Sequence, residues 1–351
     1  MKTVKIGARE VGDGQSVFVI AEAGSNHNRD FNQAKKLIDV AAQAGADAVK
    51  FQTFSAETLY SKKTPSMSYL TKGGLLKEGE TVFDLLKKNE LPREWQKDLA
   101  AYCREKGVIF LSTPFDLKAV DELEKLNVPA YKIASYEITH LPLLEHAAKT
   151  GKPMIVSTGM ADLTDIEQAL DVIYATGNRQ VILLHCAINY PPKFEDVHLR
   201  AMKTMREAFQ VPVGFSDHTT GIAVDLAAAA LGACAIEKHY TTDRKLPGPD
   251  HPFAIEPQEL KAMVQGIREV EKALGSPVKR RTAAEEEMYK LGRRSLVAAR
   301  KISKGTQITR EMIEVKRPGF GIPTKEMHAI VGRTAKVDID EDDILVWDMF
   351  S

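Results

Sequence analysis

Between residue 17 and about residue 274 the chain repeats one couplet eight times: a short apolar run, then a longer amphipathic run. The apolar runs are Val17–Ala21, Ala46–Phe51, Val108–Ser112, Ala130–Ile133, Met154–Ser157, Val181–His185, Val211–Phe215 and Cys234–Tyr240. Between them, apolar residues recur every three or four positions, as on a helix packed by one face. In Phe31–Ala44 that face is Ala34, Leu37, Ile38 and Ala41. Glycines mark helix ends: Gly45 there, Gly107 after Trp95–Lys106, and Gly151 after His146–Thr150. Eight strand–helix couplets are the pattern of a parallel (β/α)8 TIM barrel. An open doubly wound sheet uses the same units; the closed barrel is the reading carried forward.

Two segments depart from the rhythm. The connection Thr53–Glu90 is far longer than the usual few residues. It carries Tyr60, Tyr69, the Lys62-Lys63 pair and Gly73-Gly74, and its place after the second strand favours a substrate lid over a solvated insertion. Further on, Gly275-Ser276-Pro277 stops the last barrel helix. The divisions expected are a catalytic barrel over 1–275, a charged linker helix over 276–292, and a β-rich domain over 293–351. The last is marginal in size for independent folding and should dock on a barrel, its own or a neighbour's.

Lys plus Arg and Asp plus Glu each number 48, so no basic field points to nucleic acid or an anionic membrane. The longest apolar stretch, Leu226–Ile236, is too short to span a bilayer, and the first ten residues contain no apolar signal core. Cys103, Cys186 and Cys234 are odd in number and far apart, as expected of reduced thiols in a cytoplasmic protein.

Active sites of such barrels sit at the C-terminal strand ends. Here every end is polar: Glu22, then Lys50 and Gln52, Ser112-Thr113, Lys132 with Ser135 and Glu137, Ser157-Thr158, His185, Ser216-Asp217-His218, and Glu237-Lys238-His239. The period-two alternation puts Ala48, Lys50 and Gln52 on one face and Val49 and Phe51 on the other, so Lys50 and Gln52 should enter the barrel mouth. A lysine buried there needs an anion. The same parity joins Glu237 to His239. His218 and His239, ending adjacent strands, suit one divalent metal with Glu22 nearby, or else form a metal-free hydrogen-bonded pair. Lys50, Lys132 and the hydroxyls of Thr113, Ser135 and Ser216 form a set able to hold a phosphate and a carboxylate. A Schiff-base lysine is the alternative use. His185 reads as structural.

The chain resembles the sialic acid synthase family, the phosphoenolpyruvate-dependent N-acylneuraminate and legionaminate synthases. The motifs are IAEAGSNHN (Ile20–Asn28), GADAVKFQ (Gly45–Gln52), FLSTPFD (Phe110–Asp116), YKIAS (Tyr131–Ser135), GFSDHT (Gly214–Thr219), and IEKHYT with PGPDHPFAIEP (Ile236–Glu256). KRPGFGI (Lys316–Ile322) resembles the antifreeze-like (SAF) domain that follows the barrel in that family. The resemblance implies a divalent ion on His218 and His239, Mn2+ preferred with Mg2+ or Co2+ possible, and Glu22 near its bound water. It implies phosphoenolpyruvate on Lys50, Thr113, Lys132, Ser135 and Ser216, an open-chain N-acylated hexosamine on Gln52, Tyr190 and Asp250, and Glu137 beside the reacting groups. It further implies a domain-swapped homodimer in which Arg317 reaches the neighbouring barrel. The sugar, N-acetylmannosamine or a 2,4-diacetamido-trideoxy relative, is left open. One position departs from the family: Ile188 stands where a small polar residue is usual, with Asn189 beside it. The readings set against a synthase are a Schiff-base aldolase or lyase on the same barrel, and a non-catalytic carbohydrate-binding protein.

Overall fold

A computed structural model describes residues 2–65, 76 and 81–351. The chain divides into two compact units, 1–275 and 276–351. Tyr69 and Gly73-Gly74 of the long connection lie outside the described residues.

The first unit opens with an antiparallel hairpin, β1 (Thr3–Ile6) and β2 (Arg9–Gly12), of which the periodicity gives no sign. Eight strands follow: β3 (Phe18–Glu22), β4 (Ala48–Thr53), β5 (Ile109–Pro114), β6 (Tyr131–Ile133), β7 (Met154–Ser157), β8 (Val181–Cys186), β9 (Val213–Asp217) and β10 (Ala235–His239). All ladders among them are parallel, in the order β5-β4-β3-β10-β9-β8-β7-β6. β5 and β6 lie side by side without a ladder and complete the ring. This is the (β/α)8 barrel.

Strand alternation builds its two cores. One face of each strand packs outward on the helices: Val19, Val49, Phe51, Phe110, Val156 and Phe215 belong to that shell. The other fills the interior with Phe18, Ile20, Ala48, Leu111, Ile155 and Leu184. Val4, Ile6 and Val11 of the hairpin join the interior cluster and plug the end away from the strand C-termini. The helix Phe31–Ala44 buries Ala34, Leu37, Ile38 and Ala41, as its spacing requires. Asp30 caps its start, and Gly45 ends it at φ 83°, a left-handed turn that costs glycine nothing.

The second unit carries the helix Glu286–Gly292 and pairs β11 (Ser295–Ala298) antiparallel with β12 (Ile313–Lys316). Isolated bridges add to this, and Leu296, Ile302, Ile313, Ile339, Leu345 and Phe350 form its core. Among the described residues no helix is long and apolar enough to cross a membrane.

Candidate active site

The interior face that carries Phe18 and Ile20 goes on to present Glu22, and Ala48 gives way to Lys50. The apolar layers thus end in an ionic one at the strand C-termini. Lys50 Nζ lies 2.8 Å from Glu22 Oε2, 3.7 Å from Glu237 Oε2, and donates to Thr113 Oγ1 at 3.0 Å. Lys132 Nζ lies 3.3 Å from Glu237 Oε1 and donates to Ser157 Oγ at 2.8 Å. Ser216 Oγ donates to Glu237 Oε1 at 2.9 Å, and Gln52 Nε2 to Glu22 Oε1 at 2.8 Å. Ser135 Oγ accepts from Gly159 N at 2.9 Å. The anions that buried lysines require are therefore the protein's own, Glu22 and Glu237. Glu237 joins both lysines and a serine; strand parity places it on this face without giving it a role.

Burial dominates the titration of these groups. It raises the Glu22 carboxyl to about 7 against the pull of Lys50, and Glu137 to about 8. Among the described residues, one Glu137 oxygen, Oε2, is buried without a hydrogen-bond partner. Burial also opposes ionisation of Glu237, but Lys132 and Lys50 together outweigh it and hold this carboxyl at about 2.

His218 and His239 come together with ring centroids 5.3 Å apart. Burial lowers both to about 3, so each is a neutral imidazole with a lone pair to offer. His218 Nδ1 lies 3.0 Å from Ala187 O, which fixes the proton there and leaves Nε2 as the donor atom. Among the described residues His239 Nδ1 is buried without a hydrogen-bond partner, 3.8 Å from Asp250 Oδ2. Two neutral nitrogens with an orphaned atom between polar neighbours fit a divalent ion. Among the described residues no group of three metal-ligating side chains exists, so other ligands would have to be water or substrate.

Asp250 is held by Ser25, whose N and Oγ both donate to its Oδ2 at 2.9 Å. Close approach makes this possible: Gly24 sits at φ 51°, and a Cβ there would lie 3.2 Å from the His239 ring. Tyr190 packs 4.4 Å from the His218 ring and 5.4 Å from Phe253.

Two chambers meet at this point. The deep one, about 50 Å3, is lined by Glu22, Lys50, Thr113, Lys132, Ser135, Ser216, His218 and Glu237. The outer one, about 550 Å3, is lined by Gln52, Glu137, Tyr190, Asp250, Phe253 and an apolar wall of Leu59, Val82, Leu85 and Leu86. Gln52, Tyr190 and His239 border both. The wall comes from the long connection after β4, so its described part does cover the site. Ile188 lines the deep chamber, whereas Asn189 is exposed and lines neither.

Some strand-end residues are not where convergence placed them. Ser112, Asp217 and Lys238 belong to the outward parity and face the helices: Ser112 bonds Thr53, and Lys238 pairs with Asp217. His185, read as structural, does turn to the shell, with Nε2 2.6 Å from Val197 O. Arg317 lies in the second unit, exposed, its Nε donating to Gly292 O at 2.7 Å.

The NeuB family profile matches residues 37–279, and the SAF domain profile residues 293–351. The chain belongs to the NeuB family. It is 43% identical over 333 residues to N,N'-diacetyllegionaminic acid synthase of Campylobacter jejuni, covering 94% of this chain and 99% of the relative. Human N-acetylneuraminate-9-phosphate synthase is 36% identical over 340 residues, 96% of this chain and 94% of the relative. The crystal structure of N-acetylneuraminic acid synthetase from Leptospira borgpetersenii, in complex with citrate, superposes with TM-score 0.73 at 35% identity. That match covers 82% of this chain and 94% of the solved one. This NeuB-family chain is accordingly an enzyme, a transferase of the N-acylneuraminate-synthase type.

A pH dependence follows for the metal-free protein. His27, His218 and His239 are held at about 4, 3 and 3 by burial. The unfolded chain takes up protons below the ordinary histidine value while the folded one does not. Their contribution is complete above pH 6.5 and is lost as the pH falls towards 3. Below about pH 4.5 Glu237 acts in the same direction. Glu22 and Glu137, raised to about 7 and 8, and Asp225, also raised, oppose this above about pH 4.5, because there the folded chain holds protons that the unfolded one lacks. The melting temperature after chelation should therefore fall mainly below about pH 4.5, where that opposition ends. In His239→Gln the slope should shrink by about 1.4 kcal/mol per pH unit, one proton's worth.

Proposed function

We propose that this enzyme condenses phosphoenolpyruvate with an open-chain N-acylated hexosamine, forming a nine-carbon 2-keto-3-deoxy sugar acid and phosphate. The observation that carries the reading is the pair of chambers: a deep one with two buried ammonium groups and short hydroxyls, opening into a wider one at Glu137 and the two imidazoles. Lys50, Lys132, Thr113, Ser135 and Ser216 hold the enol phosphate and its carboxylate, and Gln52, Tyr190 and Asp250 hold the sugar. His218 and His239 would hold the divalent ion, Mn2+ preferred, which when bound supplies Lewis-acid polarisation of the aldehyde.

The remaining steps belong to side chains. Carbon three of the enol attacks the aldehyde carbon, and Glu137, still protonated at neutral pH, gives its proton to the developing alkoxide. Positive charge at carbon two is met by water. Glu22, with a pKa near neutrality, takes one proton of that water; the hydroxyl left on carbon two then gives its proton to the departing phosphate as C2=O forms and the C–O bond to phosphate breaks. The outer chamber's apolar wall suits an acceptor with a methyl in place of a hydroxyl and a second acylamino group, in keeping with the diacetyllegionaminic acid synthase among the relatives. Arg317 completes the site from a second copy of this chain in a domain-swapped homodimer, which Arg317→Ala tests by loss of kcat/KM.

Phosphate release from phosphoenolpyruvate with Mn2+, read against a panel of aldoses, tests the whole. Phosphate containing the bridging 18O of labelled phosphoenolpyruvate is the expected product. 2,4-Diacetamido-2,4,6-trideoxymannose should exceed N-acetylmannosamine in kcat/KM by about 10–200-fold, the range for an unpaired hydroxyl or lost apolar contact. Release of unlabelled phosphate, or none with any aldose, refutes the reaction. Burial lowers the Lys132 ammonium pKa, the one feature on the side of a Schiff-base lysine. Borohydride trapping with pyruvate would leave an adduct in that case, and none is expected.

A further inference from the structure

The helix-facing side of the barrel strands is apolar at Val19, Val49, Phe110, Val156, Phe215 and Ile236. At the ends of β9 and β10 it is ionic instead. Asp217, Lys238 and, from the helix Ala223–Ala230, Asp225 meet there, none more than 1% exposed. Lys238 Nζ contacts Asp217 Oδ2, lies 3.3 Å from Asp225 Oδ2, and donates to Thr219 O at 2.7 Å. Asp217 in turn closes a turn around His218: its Oδ1 accepts from Thr219 N at 2.9 Å and its Oδ2 from Thr219 Oγ1 at 2.8 Å. Asp217 directly precedes His218, and Lys238 directly precedes His239.

Burying three ionisable groups in a helix shell is a poor route to stability, since apolar side chains of like volume avoid the desolvation cost. The cluster supplies direction instead. Its bonds converge on the two residues flanking His218, and they start from the side chain one position before His239. On the mouth side, Ala187 O holds the His218 ring itself at 3.0 Å. His218 is thus gripped from both faces of the barrel wall. Lys238 lines neither chamber and acts through the Asp217 carboxylate and the Thr219 carbonyl. We infer that Lys238, with Asp217 as its counter-charge and Asp225 packed beside it, is a positioning residue that sets the placement of His218 relative to His239. The inference rests on the reading that these two imidazoles share a divalent ion.

The test uses the full chain without substrate. Mn2+ is titrated and free ion read by electron paramagnetic resonance, beside circular dichroism and thermal melting. The triple variant K238M/D217N/D225N removes every charge of the cluster, while the amide introduced at position 217 keeps an oxygen to close the turn. It should fold, melt no lower than the unaltered protein when metal-free, and bind Mn2+ about 10–100-fold more weakly. Asp225→Asn alone leaves the links to Thr219 and should bind Mn2+ normally. A folded triple variant that binds Mn2+ like the unaltered protein overturns the inference. If the unaltered protein binds no Mn2+, the metal reading has failed, and amide exchange decides the positioning role separately. Faster exchange at His218 and Thr219, confined to that turn, supports it; unchanged protection overturns it. Should the triple variant not fold, Lys238→Gln supplies the comparison, and unfolding of both assigns the cluster to stability alone.

Discussion

Replacing His218 or His239 by alanine is expected to lower kcat/KM for condensation by about 1,000-fold or more. Loss of a Lewis acid at a developing alkoxide removes several kcal/mol from transition-state stabilisation, and each 1.36 kcal/mol is a factor of ten. The two variants should differ in stability. His239→Ala removes an Nδ1 that has no hydrogen-bond partner among the described residues, so the metal-free protein should melt at an unchanged or higher temperature. His218→Ala leaves Ala187 O without its donor and should melt lower. Chelation should silence the unaltered enzyme, and added Mn2+ should restore it but not the variants. Full activity in either variant would remove the metal from the mechanism.

Lys50→Met should cause the largest loss of stability at the site. Lys50 is buried, 2.8 Å from Glu22 and 3.7 Å from Glu237, and its removal leaves one carboxylate pair facing each other across the barrel mouth. Breaking a buried ion pair from one side costs about 3–5 kcal/mol. At about 2–4 °C per kcal/mol for a large domain, the melting temperature should drop by about 10 °C. The double variant Lys50→Met/Glu22→Gln removes the charge left behind and should recover most of that loss. Glu237 retains Lys132 at 3.3 Å in both variants. Both variants should bind phosphoenolpyruvate more weakly, because one of the two ammonium groups facing its anionic groups is gone and Lys132 alone remains. If the double variant melts as low as the single, Lys50 is held by packing and not by Glu22. If the single variant condenses substrates normally, Lys50 has no part in binding them.

The strand parity shows how far local pattern reaches. Ala48, Lys50 and Gln52 point inward and Val49 and Phe51 outward because successive side chains of a strand alternate, a rule that needs no partner strand. The same rule puts Glu237 beside His239. It also sends Ser112, Asp217 and Lys238 to the helix shell, where polar character alone would draw them into the site. The hairpin Thr3–Gly12 escapes such a reading because two four-residue strands carry too little periodicity.

The order of elements, the inward lysines and the residue types able to bind an anion and a metal are local properties, legible from spacing and motif in the chain itself. Which carboxylate answers which ammonium, how far apart two imidazoles come to rest, and which hydrophobic wall closes the outer chamber depend on distances between strands far apart in sequence. Ring closure sets those distances. The pKa of Glu137, near 8, arises in the same way: burial is a property of everything folded around a side chain, and no window of neighbouring residues contains it.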